Sequence, residues 1–235
     1  MSNQFSAYSD ARRAAEGCAG LILSQLEGKP RAALAISGGS SPKIMFEIFA
    51  KTQFPWDRVQ LFWVDERGVP PEDEQSNFKL ANDHWLAPGK FPAANIHRIQ
   101  AELAPQLAAQ RYVEEIGSVF GSGIPEFDVI HQGMGPDGHT ASLFPGQPLI
   151  QDRKGIAASV FVEKFNQWRI TLLPGVLLAA RSTAMLVTGA DKTEALDAVL
   201  HSAPDPSKWP SQLIARDGRD VHWFLEESLA KNAHV

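Results

Sequence analysis

Asp137 and His139 stand two residues apart in Gly-Met-Gly-Pro-Asp-Gly-His, residues 133–139, directly after the short apolar run 127–130. A histidine fixed at the carboxyl end of a strand can take and return a proton near neutral pH. The small residues around it let a substrate come close to the backbone. Asp137 and His139 are the candidate acid/base pair. His84, His97, His201, His222 and His234 lack such a setting and are expected to pack or face solvent, and His131 is ambiguous.

Three other segments carry groups suited to an anion or a sugar. Ser37-Gly38-Gly39-Ser40-Ser41 lies between a strand-like run and a helix start, with Ser41 placed to cap and Pro42 at the first helical position. Its glycines expose N–H groups, and the helix terminus adds partial positive charge. The same residues fit a plain tight turn equally well. Their spacing matches neither dinucleotide nor P-loop signatures, so no nucleotide is implied. Lys192 follows Gly189 at another helix start, where it fits a phosphate contact or a solvated side chain. Asp65-Glu66-Arg67 closes the run 59–64, fitting either polyol binding with Arg67 facing a developing negative charge, or a solvated loop with an Asp–Arg pair. Ser76 and Asn77 could read hydroxyls or cap the next helix. No H-x-x-x-H or clustered-carboxylate spacing points to a metal, and G-x-S-x-G is absent.

The elements that must position these groups alternate in type. Strands are predicted at 32–36, 59–64, 127–130, 184–187 and 221–224, with a strand pair or one bent strand at 161–173. Helices are predicted from 41, over 75–85 and 106–119, through Leu196, Val199 and Leu200, and after the last strand. Such alternation predicts an α/β layer structure with a mostly parallel sheet. Ligands of open parallel sheets sit beyond the carboxyl ends of strands, where all four polar segments fall.

Composition agrees. With 235 residues and 44% hydrophobic content the chain can bury one sizeable core, and no linker divides it, so residues 1–235 read as a single domain. A net charge of −5 gives no basic footprint for nucleic acid, so a bound anion must be held by local groups. The single cysteine, Cys18, has helical apolar neighbours and is expected in the core. No signal-peptide pattern and no membrane-length apolar run is present, which makes cytoplasmic localisation the expectation. Nothing marks an obligate protein partner.

In order along the chain, SGGSSP (37–42), WVDER (63–67), SN (76–77), NIHRI (95–99), GMGPDGHTASLFP (133–145), RITL (169–172) and GADK (189–192) resemble the 6-phosphogluconolactonases, within the wider group that includes glucosamine-6-phosphate isomerase/deaminases. The resemblance implies a Rossmann-like sheet with helices on both faces. It implies hydrolysis of 6-phospho-D-glucono-1,5-lactone without metal or organic cofactor, with a small phosphorylated sugar lactone as the only partner. On this chain His139 would activate water, Asp137 would orient the site or contact sugar hydroxyls, and Arg67 would stabilise the oxyanion. Asp65 would lie in the substrate site. Ser37 to Ser41 and Lys192 would hold the 6-phosphate, with Arg169 a weaker addition.

The deaminases of the group typically show DEY where this chain has DER, and a His-paired Glu where it has Phe144. Both differences favour the lactonase. Leu173, Gly175 and Leu178 depart from the family's usual threonine, proline and asparagine near Arg169. A non-catalytic sugar-phosphate binder would keep Lys192 and the Ser37 turn but would not need His139.

Overall fold

The five residues of Ala32–Ile36 are all buried, which suits a strand covered on both faces. In the computed structural model, which describes residues 2–235, this strand lies inside a seven-stranded parallel sheet. In chain order the strands are β1 (Ser2–Tyr8), β2 (Ala32–Ile36), β3 (Val59–Trp63), β4 (Asp65–Arg67), β5 (Ile96–His97), β6 (Val129–Gln132), β7 (Ala157–Val162), β8 (Gln167–Leu172), β9 (Ser182–Val187) and β10 (Asp220–Glu226). The large sheet runs β1-β10-β9-β6-β2-β3-β5, and β4-β8-β7 form a smaller antiparallel sheet. The helices are α1 (Ala11–Leu26), α2 (Ser40–Lys51), α3 (Asn77–Ala81), α4 (Pro105–Phe120), α5 (Pro174–Ala179), α6 (Thr193–His201), α7 (Gln212–Asp217) and α8 (Glu227–Asn232).

The order reverses between β2 and β6. From β2 the chain builds outward through β3 to β5; from β6 it builds the other way through β9 and β10. Loops leaving β2 and β6 therefore diverge, and a crevice opens between them at the carboxyl ends of the strands. The two sheets meet at Val64, whose N–H donates to Ile36 O and whose carbonyl accepts from Leu172 N, both at 2.8 Å. The chain leaves the parallel sheet there and enters the antiparallel one within a single residue.

Several elements differ from the sequence-based expectation. The expected pair at 161–173 is only part of the antiparallel sheet; the hairpin is β7–β8, and residues 65–67 join it as a third strand. The N-terminal stretch, polar and mostly exposed, carries no periodicity, yet it pairs in parallel with β10 as the edge strand β1. Phe5 stacks there on Trp223, with centroids 6.1 Å apart. Helix α2 starts at Ser40, two residues before the expected first position, because Gly39 is the cap residue, with φ +118. Ser41 does not cap; its hydroxyl pairs with Thr188 Oγ1 at 2.6 Å. Pro42 is the third helical residue, where its missing N–H costs nothing. The helix expected over 75–85 is α3 followed by a wider turn at Asn82–Leu86, closed by Ala87 N–H on Asn82 O at 3.0 Å. Cys18 is fully buried, and burial pushes its thiol pKa up. Among the described residues no helix is long and apolar enough to cross a membrane.

Candidate functional site

The crevice between β2 and β6 is a cleft of about 250 Å³. It is lined by Ser37, Gly38, Gly39, Ser40 and Ser41 after β2, by Asp65 and Arg67 on β4, by His139 after β6, by Arg169 on β8 and by Lys192 after β9. Every candidate site residue except Asp137 thus faces one cavity, and Asp137 stands directly behind His139.

The pair is oriented by its own turn. Gly135 N–H donates to His139 O at 2.9 Å, and Gly138 N–H donates to Gly135 O at 3.0 Å. A Cβ on Gly135 would fall 2.1 Å from the His139 ring, so the imidazole packs against a position only glycine can hold. Asp137 Oδ1 lies 2.5 Å from His139 Nδ1. An ionised carboxylate only accepts, so the proton sits on Nδ1 and Nε2 carries the free lone pair. Burial works to raise the Asp137 pKa, but the hydrogen bond and charge of His139, helped by Lys164, outweigh it and hold the carboxyl well below its ordinary range. Phe144 stacks on His139, with centroids 4.2 Å apart and an interplanar angle of 27°.

The charged triplet 65–67 is not a solvated loop with an Asp–Arg pair. It is a strand whose acids face inward. Asp65 Oδ2 accepts from Ser142 Oγ at 2.6 Å, and Asn77 Nδ2 donates to Asp65 O at 2.8 Å. This ties β4 to the segment that carries His139. Glu66 accepts from the backbone N–H groups of Arg67, Asn77 and Phe78 at 2.7–2.8 Å and from Ser76 Oγ at 3.0 Å. Burial raises its pKa against those donors. Ser76 caps α3, accepting from Lys79 N–H at 3.1 Å. Ser76 and Asn77 are thus buried structural groups.

The cations are left for something else. Arg67 and Arg169 are directly opposite partners across the β4–β8 ladder. Like charges so placed repel unless an anion lies between them. Arg67 donates to the Gln75 carbonyl, and its Nε is buried without a partner, as is that of Arg169. Burial lowers the Arg169 pKa, and its guanidinium lies 5.4 Å over the Phe165 ring. Lys192 also has its pKa lowered by burial, with Asp191 and Glu226 opposing that weakly. Three under-neutralised cations and the N–H groups of the 37–41 turn form one anion-seeking surface around the His139 imidazole.

Among the described residues no group of three or more His, Cys, Asp and Glu side chains could hold a metal ion. His131 is fully buried under this floor; its Nδ1 accepts from Ser37 N–H at 3.4 Å, and burial drives its pKa down to about 3. Sequence reasoning missed Ser142, which nothing distinguishes from any loop serine, and Lys164, which reaches the site from a hairpin. A wider groove of about 740 Å³ beside α4 is lined by His97, Arg98 and Arg111, whose polar groups are already engaged by Glu115, Glu102 and Glu114.

Residues 7–223 match a family model described as glucosamine-6-phosphate isomerases/6-phosphogluconolactonase. A 6-phosphogluconolactonase of Synechocystis sp. is 34% identical over 215 residues, covering 90% of this chain and 88% of the other. One from Nostoc sp. is 36% identical over 223 residues, covering 92% of each. The crystal structure of 6-phosphogluconolactonase from Thermotoga maritima superposes with a TM-score of 0.84 at 26% identity, covering 96% of this chain and 100% of the other.

Proposed function

This chain belongs to the glucosamine-6-phosphate isomerase/6-phosphogluconolactonase family, and we infer that it hydrolyses 6-phospho-D-glucono-1,5-lactone to 6-phospho-D-gluconate, the second step of the oxidative pentose phosphate pathway. The observation that carries this reading is the opening of the Asp137-oriented His139 and the cationic, amide-lined turn into a single cleft.

His139 Nε2 takes a proton from water, and the resulting hydroxide attacks the lactone carbonyl carbon. Arg67, with Arg169 opposite, faces the oxyanion as it forms. One such donor is typically worth about 3 kcal/mol in the transition state. The tetrahedral intermediate then collapses by breaking the bond from the carbonyl carbon to the ring oxygen. The departing alkoxide receives the proton held by His139, which regenerates the neutral base. Asp137 fixes the tautomer throughout and stabilises the transient imidazolium. The 6-phosphate lies in the 37–41 turn against Lys192, which sets the distance from the anionic tail to the ring.

The family's amino-sugar chemistry is disfavoured. Its His-paired glutamate is replaced by Phe144, which packs on the imidazole and can move no proton. The test is the loss of freshly generated lactone, followed against its spontaneous rate. Wild type accelerates it, His139→Ala abolishes most of kcat, and Lys192→Ala mainly raises KM. No acceleration by wild type, or ammonia release from glucosamine 6-phosphate in its place, refutes the reading.

A further inference from the structure

The turn joining β7 to β8, Glu163–Phe165 followed by Asn166 at φ +48, reaches the rim of the cleft. Lys164 Nζ lies 3.0 Å from Asp137 Oδ2, the carboxylate oxygen that His139 does not use. Phe165 meets Phe144 edge-on at 5.7 Å, and Phe144 is the ring stacked on His139. Arg169 and Lys164 both lie over the Phe165 ring, at 5.4 and 5.5 Å. The hairpin tip therefore reaches the pair by two routes, directly at the carboxylate and at one remove through the Phe144 ring. The hydrolytic steps themselves use none of these contacts.

We propose that Lys164 is a positioning residue that acts on His139 through Asp137, making the catalytic unit a Lys–Asp–His chain that spans two sheets. Its ammonium pins Oδ2, which leaves Oδ1 the single acceptor aimed at Nδ1. It also shares the carboxylate's charge, so the imidazolium receives less stabilisation than an isolated Asp–His pair would supply. The other charged groups around the ring are Arg169 on β8, Arg67 and Asp65 on β4, and Lys192 after β9. Asp65 is engaged by Ser142 and Asn77, so Asp137 is the carboxylate bonded to the ring, and Lys164 is the cation bonded to Asp137.

The role of His139 as the base rests on the lactonase reading; the coupling between Lys164 and His139 does not. Two measurements separate them. The His139 ring is titrated by NMR in wild type, Lys164→Met and Lys164→Arg, and kcat/KM for the lactone is measured against pH in the same proteins. Lys164 is exposed enough for both variants to fold, its side chain being 54% accessible. In Lys164→Met the ring should titrate about half a pH unit or more above wild type, since a neighbouring cation has been removed. The acid limb of kcat/KM should rise by the same amount, and Lys164→Arg should restore both. High salt should move wild type in the same direction, because it screens the pair. An unchanged ring titration in Lys164→Met overturns the proposal whatever the activity does. So does a raised KM with an unmoved acid limb, which would assign Lys164 to the substrate's anion instead. A ring titration shifted in Lys164→Met, with a wild type that hydrolyses no lactone, would uphold the coupling and overturn the functional reading.

Discussion

Replacing Asp137 by asparagine changes one oxygen into an NH2 group, and the neighbours of that side chain decide the outcome. The carboxylate serves two donors with two oxygens: His139 Nδ1 at 2.5 Å and Lys164 Nζ at 3.0 Å. Asparagine has one oxygen, and an ammonium can only donate. Lys164 therefore claims that oxygen and turns the NH2 toward His139. The Nδ1 atom must then accept, the ring proton moves to Nε2, and the lone pair that should meet water is lost. Loss of the charge alone removes a charge-assisted hydrogen bond to the imidazolium, worth about 2–3 kcal/mol, or about 30- to 160-fold in rate. The wrong tautomer adds to this, so Asp137→Asn should lose at least about a hundredfold in kcat. The double variant Asp137→Asn/Lys164→Met should recover part of that loss, because the amide is then free to turn its oxygen back to Nδ1. The assay is the initial rate of lactone loss near pH 7, with the spontaneous rate subtracted. Asp137→Asn within threefold of wild type refutes the tautomer argument, and a double variant slower than the single one refutes the role given to Lys164 in it.

Other consequences can be measured directly. Inorganic phosphate should raise the thermal midpoint of wild type more than that of Lys192→Ala, because Lys192 and the 37–41 turn hold the anion; equal shifts count against an anion site there. Ser142→Ala leaves Asp65 Oδ2 without its hydroxyl donor and should cost about 1–3 kcal/mol, read as a Tm lower by several degrees, whereas an unchanged Tm removes the strut between β4 and the His139 segment. His131 is buried neutral with its pKa pushed down to about 3, while the unfolded chain titrates near the ordinary 6.5. The unfolded state then binds the extra proton first. Stability should be full above about pH 6.5 and fall by up to about 1.4 kcal/mol per pH unit as the pH drops toward 3. Urea midpoints between pH 7.5 and 5 measure this slope, and a His131→Gln variant with the same slope would show that the effect lies elsewhere.

The parallel sheet and its crevice were legible because the buried strands carry apolar runs and the polar segments follow them. Residues 32–36 and 182–187 are fully buried, and the Ser37 and Gly189 turns come directly after. The features that could not be read have a physical cause in each case. Strand β1 buries little of its surface, so it has no pattern to find. The second sheet exists because Val64 shares its N–H and C=O between two ladders, and a shared backbone leaves no mark on side-chain periodicity. Asp65 and Glu66 read as exposed acids after an apolar run, yet they accept hydrogen bonds from Ser142, Ser76 and backbone groups folded over them. The ionic contact between Lys164 and Asp137 joins residues 27 apart across two sheets, a separation at which local sequence carries no signal.

The pairing of β1 with β10 also bears on how the molecule is made. Asn3 lies against Val221, so β1 leaves the ribosome roughly two hundred residues ahead of the strand it docks on. At the usual pace of synthesis, about 5–20 residues per second, that segment waits on the order of ten seconds or more without a partner. Meanwhile β2, β3 and β6 can already assemble around the crevice. The outer margin of the sheet is thus the natural last step of folding, and the assembly of the cleft does not wait for it.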